Sequence, residues 1–311
     1  MTPSRSLRPT RRTALALACA GVLGLTACGG GSDPLATSSS SEGGGSGEQI
    51  VVGSADFSES ILLAHIYAGA LTADGLDVTT KTGIGSREVY LKALEEGSVD
   101  VMPEYTGALA LYYDKDFAEV DPDKTYAALR SVLPKGLVVL EKSAAEDKDS
   151  LVVTKETADE HDLQSIADLK GVAGEMVLGA PSEFKTRAQG IPGLKETYGV
   201  TFGSFRPLKP GKATSGALAN GQIDAANIFS TDPAIVENDF VVLDDPKNLY
   251  GSQNVVPLVR TGAEDRVGAT LNEVSAKLTT EKLQEMLRQT DVEKKDPDQV
   301  AADFLAAEGL D

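Results

Sequence analysis

Two stretches set an aromatic ring beside short hydrogen-bonding groups at the end of an apolar run. "DVMPEYTGALALYY", Asp100 to Tyr113, carries a strand-like segment into Pro103, then Glu104, Tyr105, Thr106 and Gly107, before a second apolar segment. "NIFSTDPAI", Asn227 to Ile235, repeats that grammar with Phe229, Ser230, Thr231, Asp232 and Pro233. In the first, Pro103 is expected to end the strand and Thr106-Gly107 to start a helix, which holds Tyr105 at the corner. Glu104 reads as pointing away or pairing structurally. Ring faces attract cations and hydroxyls hold polar atoms, so the chemistry on offer is binding. In open parallel sheets such ligands sit beyond the carboxyl ends of the strands. The competing reading makes Tyr105 and Phe229 core aromatics and their polar neighbours helix caps.

Catalysis has little material. The chain has two histidines, His65 in an apolar helical run and His161 in a polar segment, and both read as structural or surface groups. There is no Gly-x-Ser-x-Gly elbow, phosphate-binding loop or paired-cysteine spacing, and nothing singles out a pair among the many acids. "KTGIGSRE", Lys81 to Glu88, lacks the third glycine of a dinucleotide fingerprint and reads as a tight turn before a helix N-terminus.

Alternating short β-branched runs and apolar-periodic stretches must position these corners. Ile50 to Phe57 reads as a strand, followed by a helix to Leu71 with Ser58 as N-cap; Leu76 to Thr82 is a strand, Arg87 to Glu96 a helix, and Val99 to Met102 a strand. A second unit starts at Leu151 to Thr154. It continues through strands at Met176 to Gly179, Phe202 to Leu208 and Ile223 to Phe229, with helices at Gly193 to Tyr198 and Thr214 to Asn220. Strands follow at Val241 to Leu243 and Asn254 to Arg260, and the tail is helical. The alternation predicts an α/β fold with mostly parallel sheets covered on both faces.

Residues 1–28 read as an export signal: Arg5, Arg8, Arg11 and Arg12 precede the apolar run Ala14 to Ala27, which is too short to anchor in a bilayer. Leu25-Thr26-Ala27-Cys28 resembles a bacterial lipobox, with Cys28 the lipidated first residue of the mature chain; an ordinary secretory signal is the alternative. Export runs by the Sec route or, given Arg11-Arg12, the twin-arginine route. Loss of Cys19 with the signal leaves no partner for a disulfide, so folding rests on a core. Residues 29–48 are a Gly/Ser-rich flexible tether. About 260 residues remain, enough for one large or two medium domains. The net charge of −18 repels nucleic acid. It fits cationic or zwitterionic solutes, but solubility or adaptation to a salty exterior accounts for it without any ligand.

"VGSADFSESILLAHI", "ALEEGSVDVMPEYTG", "ALANGQIDAANIFSTDPAI", "NVVPLV" and "DPDQVAADFL" resemble the solute-binding proteins of glycine betaine, choline and carnitine (osmoprotectant) ABC importers, across Gln49 to Leu310. The resemblance implies a type II periplasmic-binding-protein-like fold of two α/β lobes joined by two crossover segments, with lobe I at 49–149 and 233–311 and lobe II at 150–232. It implies a monomer without cofactor or metal, tethered by lipid to the outer face of the cell membrane and serving an ABC permease and its ATPase. It also implies an aromatic box around a quaternary ammonium group. Tyr105 and Phe229 fall on two box positions, whereas the other two fall on Asp149 and Ser215, neither aromatic. Asp56, Phe57, Thr106, Ser230 and Thr231 are expected as further lining, with Phe57 and Tyr90 as replacement rings. Asp149 would favour a cation bearing N–H donors, so an amine, an amino acid or an ergothioneine-like betaine stays open as the solute, as does a ligand-sensing ectodomain.

Overall fold

A computed structural model describes residues 49–311; the expected signal, Cys28 and the tether lie outside the described residues. The first lobe runs β1 (Ile50–Gly53), α1 (Ser58–Ala73), β2 (Val78–Lys81), α2 (Arg87–Glu95), β3 (Val101–Tyr105), α3 (Thr106–Tyr113), α4 (Pro122–Val132) and β4 (Leu137–Val139). The second runs β5 (Asp149–Val153), α5 (Lys155–His161), β6 (Val177–Ala180), α6 (Ile191–Gly193), β7 (Ser204–Pro207), α7 (Lys212–Ala219), β8 (Ala225–Phe229), α8 (Ala234–Glu237) and β9 (Val241–Val242). The chain then returns to the first lobe as β10 (Val255–Arg260), α9 (Glu264–Lys277), α10 (Thr280–Leu287) and α11 (Pro297–Glu308).

The sheets have matching orders, β2-β1-β3-β10-β4 and β7-β6-β8-β5-β9. Each is mixed but mostly parallel, as expected: four strands run the same way and one is reversed, β10 against β3 and β4, and β5 against β8 and β9. Because β9 pairs with β5, the second sheet keeps the chain to Val242, past the return expected at 233. The two crossovers run side by side: Asp147 N donates to the Gln253 carbonyl at 3.1 Å and Val255 N to the Ala145 carbonyl at 2.9 Å.

Hydrophobic patterning explains the layering. Along β10, Val255 and Val259 face one core with Leu62, Leu63 and Ile66 of α1, while Val256 and Leu258 face the other with Leu91 and Leu94 of α2. Both faces are therefore dry, as a central strand with an unbroken apolar run requires. α1 is apolar on most of its circumference because it lies between the sheet and α9 and α11. α4, absent from the sequence expectations, has a strong local start: Asp121 accepts from the backbone of Asp123 and Lys124, and Pro122 occupies the first turn.

Pro103 does not stop β3. It pairs directly opposite Pro257 of β10, and the hydrogen-bonded positions are the flanking ones. In antiparallel pairing alternate residues turn their N–H groups away from the partner, so two prolines can face each other at such a site without losing a ladder bond. β1 pairs with β3 only at Val101, before Pro103 would have to donate. The strand therefore reaches Tyr105. Gly107 follows because a Cβ there would lie 2.4 Å from the Ser252 carbonyl oxygen.

Candidate functional site

A cleft opens at the carboxyl ends of β1, β3, β6 and β8, between the lobes. From the first lobe, Asp56 and Phe57 follow β1, Ser86, Arg87 and Tyr90 come from the start of α2, and Tyr105 ends β3. From the second, Asp149 starts β5, Phe229 ends β8, and Phe184, Arg187 and Gln189 come from the loop after β6. Asp147 and Gln253 enter from the crossovers.

Five rings line this cleft: Phe57, Tyr90, Tyr105, Phe184 and Phe229. The Phe57 ring centroid lies 6.3 Å from that of Tyr105 and 5.1 Å from that of Phe229, both pairs tilted. Phe57 therefore joins the two rings picked out by motif, one from each lobe. Asp149 stands directly opposite Phe229 in the β5–β8 register, with its Oδ1 accepting from Asn227 Nδ2 at 2.9 Å.

The phenol of Tyr105 is not free. Its Oη donates to Glu59 Oε1 at 2.6 Å, and its backbone N–H donates to Glu104 Oε2 at 2.9 Å. Glu104 is fully buried and takes Arg87 through Nε at 2.7 Å and Nη2 at 2.9 Å, and the Tyr90 phenol at 2.6 Å. The expected structural role of Glu104 thus has a partner. Burial pushes the phenols of Tyr90 and Tyr105 well above their usual range, so both rings stay neutral. The Arg87 guanidinium would be weakened by its burial, but the Glu104 charge more than compensates and holds it charged.

Other expected site residues sit elsewhere. Ser215 lines a neighbouring groove with Lys212, Pro233 and Glu237, and its hydroxyl donates to the Gly211 carbonyl one turn back at 3.3 Å. Thr106 is wholly buried, its hydroxyl accepting from Asn254 N at 3.1 Å, so it fastens α3 to the second crossover. Ser230 and Thr231 face Asp147: the Ser230 hydroxyl and the Thr231 N–H donate to Asp147 Oδ1 at 3.3 and 3.2 Å. Ser58 does not cap α1; Phe57 holds that position, and the Ser58 hydroxyl donates to Asp291 at 2.7 Å.

Phe184, Arg187 and Gln189 were not expected. Their loop, "APSEFKTRAQG", follows the end of β6 through Pro181, the same strand-to-proline grammar as the two quoted corners, and that signal was available. Gly190 closes the loop tightly, since a Cβ there would lie 1.9 Å from the Phe184 carbonyl oxygen. Among the described residues no cluster of His, Cys, Asp and Glu could hold a metal ion, and no helix is long and apolar enough to cross a membrane.

Residues 48–307 match the family described as the substrate binding domain of the ABC-type glycine betaine transport system. The chain is 28% identical over 273 residues to a glycine-betaine-binding protein of Pseudomonas aeruginosa, covering 83% of this chain and 87% of that protein. It is 27% identical over 276 residues to the glycine betaine-binding protein YehZ of Escherichia coli, covering 84% and 90%. A crystal structure of a glycine betaine/carnitine/choline ABC transporter superposes with a TM-score of 0.66 at 25% identity, covering 84% of this chain and 99% of that one. The two-lobed architecture, the cleft at the strand ends and these likenesses agree: the chain belongs to the substrate-binding domain family of ABC-type glycine betaine transport systems.

Proposed function

We propose that this chain is the lipid-anchored receptor of an ABC importer and that it captures a quaternary-ammonium solute, of the glycine betaine, choline or carnitine kind, in the ring-lined cleft. The family's role is to bind a substrate outside the cytoplasm and pass it to a permease and ATPase, rather than to convert it. One observation carries the choice of solute: five aromatic rings from both lobes converge on one cleft. A trimethylammonium group has no N–H to donate, so ring faces must supply the attraction, roughly 0.5 to 2 kcal/mol for each desolvated contact. Cys28, acylated, would keep a monomeric receptor at the outer face of the membrane behind the residue 29–48 tether.

Asp149 supports a second reading, in which a small cation or zwitterion with N–H donors pairs directly with that carboxylate beside Phe229. A thermal-shift screen of the purified chain against betaine, choline, carnitine, ergothioneine, amino acids and polyamines separates the two. Quaternary ammonium compounds are expected to give the largest shifts. Shifts confined to primary amines would move the solute to the second reading, and no shift with any compound would sink both.

A further inference from the structure

Behind the aromatic wall lie two carboxyl groups that the binding reading does not use. Glu59 is 3% exposed and Asp147 5%. Tyr105 Oη donates to one oxygen of Glu59 at 2.6 Å, and Thr231 Oγ1 donates to the other at 2.5 Å. Asp147 takes its donors from Ser230 and Thr231 on Oδ1 alone, and Thr231 bridges the two acids, its N–H on Asp147 and its hydroxyl on Glu59. Glu59 is thus held from the first lobe by Tyr105 and from the second by Thr231, and Asp147, on the crossover, shares Thr231 with it and lines the cleft.

Two carboxylates this close and this dry cannot both stay ionised, because burial removes hydration while their repulsion grows in the low dielectric. The titratable groups facing them are Tyr105, Asp149 and Asp232, a phenol and two acids, none of which brings positive charge. Lys148, next to Asp147 in the chain, pairs with Glu146 at 3.3 Å, Arg187 pairs with Glu88, and Arg87, in the same cleft, is taken up by Glu104 at 2.7 Å. Positive charge must therefore come from a proton or from the cleft. Asp147 and Tyr105 both line that cleft, so a cation there lies against the pair.

We infer that Glu59 and Asp147 are a proton-exchanging counter-charge: they share one proton while the cleft holds no cation, and release it to solvent when a cation settles against Tyr105. The inference rests on the cation reading above. Charge balances at the pair, since the solute's quaternary ammonium group supplies there the positive charge that the departing proton removes, and the carboxylate of a zwitterionic solute lies away from it. Once ionised, Glu59 becomes a stronger acceptor for both Tyr105 and Thr231. Solute charge is thereby tied to the hold of one lobe on the other, and a neutral molecule of the same shape would bind without this gain.

Calorimetry on the purified chain tests the exchange, using choline or glycine betaine, whichever binds more tightly, in two buffers of different protonation enthalpy near pH 6. The expected heats differ by an amount equivalent to up to one proton released, and affinity rises by up to about tenfold per pH unit between about pH 5 and 7. In Glu59→Gln the side-chain carbonyl can still accept from Tyr105, and the variant is expected to bind with no proton released and a flat pH profile. Asp147→Asn should do the same by an independent route, and 3,3-dimethylbutanol, the neutral isostere of choline, should release no proton from the unaltered chain. Equal heats in both buffers with a flat pH profile in the unaltered chain would overturn the inference and leave the cation reading intact. Failure of choline, glycine betaine and carnitine alike to bind would overturn the cation reading and this inference with it.

Discussion

Arg187 reaches across the cleft to Glu88, Nε to Oε1 at 3.2 Å and Nη2 to Oε2 at 3.1 Å. The contact ties the loop after β6 in the second lobe to the first turn of α2 in the first. Burial opposes the charge on Glu88, but hydrogen bonds from Arg187 and Ser86 outweigh it and hold the carboxyl at about 2. The pair therefore stays charged at any pH in which the protein would work. It is also partly open to water, with Glu88 41% exposed, so it latches the lobes without locking them.

Glu88→Gln is expected to cost about 0.5 to 1 kcal/mol of solute affinity, the scale of a half-exposed ion pair. The loss should appear as faster release in stopped-flow fluorescence. It should shrink at high salt, where the unaltered pair is already screened. A slower association rate with unchanged release would assign Glu88 to solute capture instead of retention.

Removal of a ring should weaken solute binding. Tyr105→Ala and Phe184→Ala are each expected to lose about 1 to 3 kcal/mol, from apolar area and cation–π attraction together. Ser215→Ala, in the neighbouring groove, should stay within about 0.5 kcal/mol. Isothermal titration of the three variants decides the map of the site: equal effects at Tyr105 and Ser215 would mean that the box does not lie where the rings converge.

Tyr105→Phe separates the ring from its hydroxyl. It keeps the ring but leaves a Glu59 oxygen without its donor, so stability should fall by about 1 to 3 kcal/mol, the desolvation cost of an unsatisfied buried group. Urea unfolding measures that loss directly. A wild-type midpoint would show that Glu59 finds another donor.

The two buried acids also leave a mark on stability. Burial raises the Glu59 carboxyl from 4.5 to about 7, opposed in part by bonds from Thr231 and Tyr105. The folded protein therefore holds a proton that the unfolded chain loses on passing pH 4.5. This contribution is fully present below pH 4.5 and is lost as pH rises through about 7. Between pH 5 and 7.5, Glu59→Gln should remove about 1 to 3 kcal/mol of declining stability relative to the unaltered chain. Parallel stability curves for the two proteins would refute a raised Glu59.

The elements were legible wherever burial imposes a period. The apolar runs of β1, β8 and β10 and the corners at Tyr105 and Phe229 stood out because strand ends carry Pro, Gly and short polar residues. Pro103 misled because its tolerance depends on Pro257, a partner far along the chain that only register reveals. The antiparallel strand in each sheet was equally hidden, since direction leaves no trace in an apolar run buried on both faces. In the site, Phe57 and Tyr105 could be named from local grammar. Glu59 and Asp147 could not, because an acid among many acquires meaning only from what it is buried against. Ser215 follows from the family pattern alone, and the fold puts it in the neighbouring groove instead of the cleft wall.

The placement of β10 between β3 and β4 also bears on how the chain comes to be folded. The second lobe is one continuous segment, so its sheet can assemble as soon as that segment is complete. The first lobe has to wait: until Val255–Arg260 has been delivered, β3 offers a bare edge and α1 an uncovered apolar flank. Long-range pairing of this kind is slow and exposes sticky surface meanwhile. The vulnerable species during maturation is thus a half-built first lobe beside a finished second one, and mutations in β10 should show up as poor yield before they show up as poor binding.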